Sequence, residues 1–209
     1  GQRAALQITE AARESHADLS FVAHLFMGRW RPEKIHPVTD VGADEKERAD
    51  MFLGELGAFL KAKVDGDLID RTGEIPADVM AGLARLGAYG IKVPPQYGGL
   101  GFSQSTYGRA CQLIASHCTN TFAHLSIHQS VGVPQPLMLF GTEEQKQKFL
   151  PRVAAGEISA FALTEAGVGS DPARMTTQAT PTGDGEAFLL NGEKLWCSNG
   201  TRAGLLIVA

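Results

Sequence analysis

The stretch SAFALTEAGVGSD, residues 159–171, marks the point where a helical sequence pattern gives way to a strand pattern. Residues 159–164 alternate small or polar side chains with large apolar ones, as a half-buried strand does. The glycines and hydroxyl side chains that follow leave backbone N–H groups accessible and add directional donors. Such a loop is compatible with a plain turn, and also with a site for a phosphate or for the polar edge of a ring.

Three apolar stripes with helical spacing precede this point, and they predict three helices with buried faces. Pro76 stands before the second stripe, where proline favours the first turn of a helix, and glycines follow it at 87 and 90. The third stripe carries two of the three cysteines, which we therefore expect in the core. The stripes are Phe52, Leu56, Phe59 and Leu60; Val79, Leu83 and Leu86; and Tyr107, Cys111, Ile114 and Cys118.

Residues 142–156 predict one further helix together with its ends. Thr142-Glu-Glu-Gln145 has the pattern of a capping box, in which the Thr hydroxyl and the Gln amide each satisfy a backbone N–H group. Proline lacks the N–H group that a helix interior needs. We therefore expect Pro151 to bend or restart this helix before Gly156.

Beyond residue 171 the sequence predicts further strands separated by turns. Residues 175–180 and 186–190 are strand candidates on either side of the turn-rich PTGDG. Asn191-Gly192, between FLL and EKLW, predicts a hairpin because both residues accept positive φ. LLIVA, residues 205–209, predicts a buried strand that would leave an open sheet edge. We therefore expect the sequence to be the front part of a longer protein.

Composition excludes several classes of protein. The chain has 209 residues, of which 44% are hydrophobic and 20% charged, which indicates a globular protein rather than a disordered one. A net charge of −4 makes nucleic acid an unexpected partner, and no apolar stretch is long enough to suggest a membrane span. Three cysteines without a CxxC motif indicate neither a disulfide framework nor a zinc site. His124 and His128 have the spacing of two zinc ligands, but no third ligand is apparent, which favours packed or pocket-lining histidines.

A second candidate site is LWCSNG, residues 195–200. The indole of Trp196 at a strand end can cover a flat heteroaromatic ligand, with the Ser198 hydroxyl on the same side. Ordinary core packing of the tryptophan is the alternative. Cys197 as a nucleophile would need a nearby base, and the strand part of the sequence contains no histidine.

Together, the two candidate loops closely resemble the flavin-binding signature of the acyl-CoA dehydrogenase family, written TEPxxGSD and WITNG. The flanking motifs occur in the family's order, and the likeness covers residues 19–209. The opening motif resembles the N-terminal extension of the very-long-chain branch. The motifs that carry the resemblance are SFVAHLFMGRW (20–30), LGAYGIKVPPQYGGLGFS (86–103), AHLSIHQSVG (123–132), FGTEEQKQKFLPRVAAGE (140–157), FALTEAGVGSD (161–171) and KLWCSNG (194–200).

The resemblance implies an α+β fold in three parts. An all-helical N-terminal domain is followed by the start of a mostly antiparallel β-barrel or sandwich domain, and a C-terminal helical domain lies outside this sequence. We expect an N-terminal extension over residues 1–44, the helical domain over 45–157 and a partial β domain, which carries the flavin motifs, over 158–209.

FAD is the cofactor that the resemblance implies, and the first motif would hold its reactive ring. Phe161, Leu163 and Thr164 would line the isoalloxazine. The Thr164 hydroxyl and nearby backbone amides would stabilise negative charge at N1 and O2 of the reduced flavin. Gly169 and Ser170 would lie by the flavin diphosphate, and Ser170 would also bind the acyl-CoA.

The second motif would complete the cofactor site from the other side. Trp196 would cover one face of the flavin, Ser198 would bond its N5/O4 edge, and Cys197 would lie between them. Two residues depart from the family pattern: Ala166 replaces a proline, which loosens a turn, and Cys197 replaces an aliphatic residue. Neither departure removes a flavin contact.

The reaction implied is α,β-desaturation of a long-chain fatty acyl-CoA in β-oxidation, with electrons passed to electron-transfer flavoprotein. The catalytic glutamate of the family is expected beyond Ala209, so no catalytic residue and no metal site is assigned here. A homodimer or homotetramer is expected, in the cytoplasm of a bacterium or the mitochondrial matrix of a eukaryote. The alternatives are an acyl-CoA oxidase or flavin monooxygenase of the same fold, and a non-catalytic assembly or scaffold protein.

Overall fold

The computed structural model describes residues 19–35 and 41–209. Much of the predicted N-terminal extension therefore lies outside the described residues. The chain divides into two compact units, Gly1–Gly42 and Ala43–Ala209. The described part of the first unit contains helix α1, Phe21–Phe26, whose first turn is capped by the Ser20 hydroxyl. The ring of Trp30 packs edge-on against Phe21 at 5.3 Å.

Seven helices and one π-helical turn make up the helical part of the second unit. None of the helices within the described ranges is both long enough and apolar enough to cross a membrane. The π-helical turn spans Ile127–Val131 and continues directly from the helix that ends at Ser126. The helices are α2 (Ala43–Lys63), α3 (Gly66–Thr72), α4 (Ala77–Arg85), α5 (Gln104–His117), α6 (Thr119–Ser126), α7 (Pro134–Phe140) and α8 (Glu143–Ala154).

The three predicted apolar stripes are confirmed as the buried faces of α2, α4 and α5. Leu56 and Leu60 of α2 and Leu83 of α4 are fully buried in one hydrophobic cluster with residues of α5. Burying each such leucine contributes about 1.5–3 kcal/mol, so these contacts dominate the stability of the helical part. Cys118 is buried as expected, but it lies in the bend between α5 and α6 rather than within a helix, and it caps α6 through its sulfur.

Helix α8 begins at the predicted capping box and does not restart at Pro151. Thr142 and Gln145 exchange the two expected hydrogen bonds at 3.2 and 2.9 Å. The helix continues through Pro151 to Ala154, so the prediction of a break was wrong. Proline deprives only the carbonyl of the exposed Gln147 of its partner, and water can hydrate that group, while the buried Leu150 anchors the helix.

Four short strands follow and form two separate pairs. Strands β1 (Ser159–Ala162) and β4 (Leu205–Val208) pair in parallel, with Ser159 opposite Leu205. Strands β2 (Gln178–Pro181) and β3 (Phe188–Asn191) pair antiparallel. The described residues therefore contain a helical part and the start of a sheet part, as expected. They form no closed barrel, and a mostly antiparallel sheet is not confirmed.

The predicted hairpin at Asn191-Gly192 was wrong. Asn191 ends β3 opposite Gln178, and the β2–β3 connection runs through the turn-rich segment 182–187, closed by a 2.9 Å bond from Thr182 N to Ala187 O. A Cβ on Gly192 would lie 2.8 Å from Thr177 Cα, so this glycine serves a close approach of two backbones rather than a turn.

Strand β4 is confirmed as a strand, but it is not fully buried. Leu205 and Ile207 are half-buried and pack beside residues of α7 and α8, whereas Leu206 and Val208 are exposed by 47% and 36%. Alternate side chains of a strand point to opposite faces. A continuous apolar run therefore predicts that both faces are buried, whereas in this chain only the face with Leu205 and Ile207 is packed against other residues.

Candidate functional site

Two loops at the sheet part carry the residues that the sequence singled out. The first loop, residues 163–170, follows β1, and the second loop, residues 194–200, precedes β4. The N–H group of Leu195 donates to Thr164 O at 2.8 Å. The ammonium group of Lys194 donates to Leu163 O at 3.0 Å. The two loops therefore lie side by side and are joined through their backbones.

A buried carboxylate links the two loops to the residues just before β2. Glu165 in the first loop is 6% exposed and accepts a 2.9 Å bond from Lys194 in the second. Thr177 and Thr176 each donate both a backbone N–H and a hydroxyl to the same carboxylate, at 2.6–2.9 Å. These donors, the Thr177 hydroxyl foremost, hold the pKa of Glu165 well below its usual range. A carboxylate saturated in this way is a structural anchor and a poor proton acceptor.

The tip of the first loop is a tight turn. Glu165 N donates to Val168 O and Val168 N donates to Glu165 O, both at 3.0 Å. Ala166, which stands where the family motif has proline, is exposed at this tip. The two backbone bonds close the turn without the restriction of a proline ring. A Cβ placed on Gly167 or Gly169 would meet no atom within 4 Å, so a ligand can approach the backbone here.

The second loop holds two side-chain-bearing residues in the left-handed region of backbone conformation. Trp196 has φ 59° and Asn199 has φ 64°. A bulky residue such as tryptophan rarely adopts such angles, and residues that do so cluster at ligand-binding and catalytic sites, whereas asparagine adopts them more readily. The Trp196 side chain is the second most exposed large hydrophobic one in the described residues, at 87%, so its face is open to a ligand. Trp196 therefore does not pack in the core formed by the described residues.

A pair of hydrogen bonds fastens the second loop to helix α6. Asn199 Nδ2 donates to His124 O at 3.1 Å, and Asn199 Oδ1 lies 3.0 Å from His124 Nδ1. The other ring nitrogen of His124 lies 2.8 Å from the Tyr89 hydroxyl. Burial lowers the pKa of His124, and the bond to Asn199 opposes part of that shift. His128 is fully buried and hydrogen-bonded to Tyr89 O and Ser159 N, so both candidate histidines are packed and hydrogen-bonded.

A cavity of about 280 Å³ adjoins this contact. Its wall combines apolar side chains of the helical part with polar groups from both parts of the chain. The polar groups are Asn120 and His124 of α6, Ser198 and Asn199 of the second loop, and Arg202. No cluster of histidine, cysteine or acidic side chains with the arrangement of a metal site occurs in residues 19–35 or 41–209.

The predicted cofactor residues lie in these loops and in the strand before them. Phe161, Leu163, Thr164 and Cys197 are half-buried, whereas Gly169, Ser170, Trp196 and Ser198 are exposed. An open indole face, two nearby hydroxyl residues and accessible glycine backbone suit a flat ring with a polar edge and an attached phosphate. The individual ligand contacts of these residues stay predictions.

The residues that hold the loops together were not found from the sequence. Lys194 and Asn199 lie inside the second motif, and Thr176 and Thr177 lie beyond the first. One signal could have suggested the pairing of Lys194 with Glu165. Each is a charged residue in a loop that otherwise consists mainly of apolar or small residues.

Comparison with known proteins identifies the family. The model of the acyl-CoA dehydrogenase N-terminal domain matches residues 46–157, and that of the middle domain matches residues 160–209. The chain belongs to the acyl-CoA dehydrogenase family, as its motifs predicted.

Three relatives illustrate the likeness. The probable acyl-CoA dehydrogenase FadE10 of Mycobacterium tuberculosis is 50% identical over 202 residues, which are 96% of this chain and 31% of that protein. The mitochondrial very long-chain specific acyl-CoA dehydrogenase of Homo sapiens is 36% identical over 194 residues, 90% of this chain and 29% of that protein. The solved acyl-CoA dehydrogenase of Bacillus anthracis complexed with FAD has a TM-score of 0.63 at 30% identity, covering 81% of this chain and 28% of that one.

The chain thus spans about a third of the length of the curated relatives that it matches. The prediction that it comes from a family of FAD-dependent oxidoreductases is confirmed by these relatives. The geometry of the two loops agrees, because it offers an open aromatic face and a polar rim of the kind that an isoalloxazine ring requires.

Proposed function

We propose that this chain is the flavin-holding front part of an acyl-CoA dehydrogenase that desaturates long-chain fatty acyl-CoA in β-oxidation. The observation that carries the proposal is the junction of the two loops by Glu165 and Lys194. This junction holds Trp196 beside the hydroxyl-bearing first loop. FAD bound there supplies the acceptor for the hydride that leaves the β-carbon of the substrate.

The first loop would hold the ring edge and the phosphates. The Thr164 hydroxyl and adjacent backbone N–H groups would stabilise the charge that develops at the N1/O2 edge, because preorganised donors need no rearrangement during reaction. Phe161 and Leu163 would exclude water from the ring. Gly169 and Ser170, at the exposed end of the loop, would hold the diphosphate, and Ser170 would also contact the acyl-CoA.

The second loop would fix the orientation of the ring. Trp196 would cover one face, Ser198 would donate to the N5/O4 edge, and Cys197 would pack between them. The base that removes the α-proton is assigned to a glutamate outside this chain. Glu165 does not serve in its place, because its oxygens already accept five hydrogen bonds.

The wider assignments belong to the whole protein. Electron-transfer flavoprotein is proposed as the electron acceptor, and a homodimer or homotetramer as the assembly. The cytoplasm of a bacterium or the mitochondrial matrix of a eukaryote is the proposed location. We also propose that the β2–β3 hairpin belongs to a mostly antiparallel barrel or sandwich in the whole middle domain. Light scattering during size-exclusion chromatography of the full-length protein would give the number of subunits.

The test uses full-length protein purified as expressed. We expect a flavin absorption spectrum that bleaches when a long-chain acyl-CoA is added without oxygen, and reduction of a dye acceptor in the steady state. Trp196→Leu should impair both, and Trp30→Leu is the matched control, because Trp30 belongs to neither of the two loops. Colourless protein that ignores added FAD would refute the proposal.

Two other outcomes favour the alternatives. Hydrogen peroxide released stoichiometrically with the enoyl product in air would identify an oxidase of the same fold. Flavin that binds but is never bleached by any acyl-CoA, in protein that co-purifies with a stable partner, would indicate a scaffold.

A further inference from the structure

Asn199 combines a left-handed backbone conformation with a side chain whose amide oxygen and amide nitrogen are both hydrogen-bonded. Its φ of 64° lies in the left-handed region, and its amide group meets both the backbone carbonyl and the ring of His124. Ser198, the residue before it, is predicted to bond the flavin. The conformation of Asn199 therefore decides where that hydroxyl is directed.

The directions of the hydrogen bonds follow from the chemistry of the groups. The carbonyl of His124 can only accept, so the amide nitrogen of Asn199 donates to it and the amide oxygen faces His124 Nδ1. An amide oxygen can only accept, so Nδ1 carries the proton. In the neutral ring Nε2 is then an acceptor, and the Tyr89 hydroxyl donates to it at 2.8 Å.

Burial holds the two titratable members of this chain of donors in those protonation states. Tyr89 is 1% exposed, and burial raises the pKa of its hydroxyl to about 12. His124 is 6% exposed, and burial lowers its pKa. The chain therefore runs in one direction, from the Tyr89 hydroxyl through the imidazole to Asn199, and every buried polar atom in it has a partner.

We propose that Tyr89 and His124 are positioning residues that hold Asn199 in its left-handed conformation and thereby direct Ser198 and Trp196 at the flavin. The helical part supplies the rigid side of this contact, because Tyr89 and His124 both lie in buried positions there. This inference rests on the proposed function, since it concerns the same flavin site.

A merely structural role would affect stability without altering the flavin. The distinguishing readouts are therefore the visible spectrum and the reduction potential of bound FAD, and the separation of kcat from KM. We expect His124→Ala in the full-length holoenzyme to change the spectrum and potential and to lower kcat about tenfold, the effect of one misdirected hydrogen bond, with KM little changed. His117→Ala, an exposed histidine on α5, is the matched control.

Conservative variants give the second line of the test. His124→Gln keeps one donor and one acceptor on a planar group and should restore most of the rate. Asn199→Gly accepts the left-handed backbone at no steric penalty but loses the contact to His124, so it should behave like His124→Ala. If His124→Ala fails to fold, Asn199→Gly and Tyr89→Phe provide the same comparison.

The outcomes separate this inference from the proposed function. Wild-type protein that binds no FAD refutes the proposed function whatever the variants do. The role of Tyr89 and His124 is overturned if the wild-type protein binds flavin normally and the variants have the same spectrum, reduction potential and kcat as the wild type. The role would also be overturned if His124→Gln and His124→Ala lost the same stability and both left the spectrum and reduction potential of the flavin unchanged.

Discussion

His128 makes the stability of the helical part depend on pH. Its side chain is fully buried, accepts a 3.0 Å bond from Ser159 N at Nδ1, and donates from Nε2 to Tyr89 O at 3.2 Å. Burial, with a smaller contribution from the neighbouring His124, lowers the pKa of His128 to about 4 from an ordinary value of 6.5. The native state therefore keeps this imidazole neutral at pH values where an unfolded chain would protonate it.

The sign of the effect follows from linkage between protonation and folding. Above pH 6.5 both states are neutral and the full stability is present. As the pH falls, the unfolded chain binds a proton that the native state refuses, so stability declines until the pH reaches about 4. A shift of this size amounts to about 3 kcal/mol in total, of which about 2 kcal/mol is lost between about pH 7 and about pH 5.

The measurement is urea unfolding of wild-type protein and His128→Gln at both pH values. A glutamine side chain can retain one donor and one acceptor, but it does not titrate. We expect the wild type to lose about 2 kcal/mol more than the variant on acidification. Contributions from His124 and the carboxylates are common to both proteins and cancel. Equal losses in the two proteins would refute the reasoning, and His117→Gln, an exposed histidine, should match the wild type.

Three further substitutions test other parts of the structure. Lys194→Met should leave the Glu165 carboxylate without its cation and yield protein with less bound FAD. The FAD content is measured as the ratio of visible to ultraviolet absorbance, and full flavin content would contradict the importance of the pairing. Gly108→Ala, at an exposed position in α5 with no atom near a new Cβ, should stabilise the protein by about 1 kcal/mol in urea unfolding. Gly99→Ala places a methyl group against the carbonyl of Val93 and should destabilise it by about 1–3 kcal/mol; an unchanged midpoint would show that the backbone yields freely.

The helices could be predicted from the sequence because their signals are local. The spacing of Leu56 and Leu60, and that of Val79 and Leu83, encodes a buried stripe within one or two turns. The capping box at Thr142 likewise involves only residues of the same turn. Each of these features forms through neighbours along the chain, so no distant partner has to be known.

The strand pairings could not be predicted because their partners are distant in sequence. Asn191-Gly192 has the composition of a hairpin turn, yet Gly192 is placed by its contact with Thr177. Strand β1 pairs in parallel with β4, at the far end of the sheet part, rather than with its sequence neighbours. Pro151 was misjudged for a related reason, since packing of the buried Leu150 decides the path of the helix there.

The two loops of the candidate site were predicted by their motifs, whereas the contacts that hold them were not. A sequence motif names residues that face a ligand, but Lys194 and Asn199 face other parts of the same protein. Their partners, Glu165 and His124, lie in separate segments of the chain and become neighbours only in the folded state. The backbone bond between Leu195 and Thr164 accompanies the first of these pairings, and the second depends on the packing of the second loop against α6.

The second loop is held from both ends, and this explains how it can keep a strained conformation. Lys194 fixes its start to Glu165, and Asn199 fixes its end to His124. Between these anchors, Trp196 adopts a left-handed conformation that an unrestrained loop would leave. Donors stabilise developing charge most effectively when they are already in place before reaction. Two anchors in different parts of the fold, one ionic and one through neutral hydrogen bonds, therefore give the loop the rigidity that flavin chemistry requires, and breaking either one should loosen the same side chains.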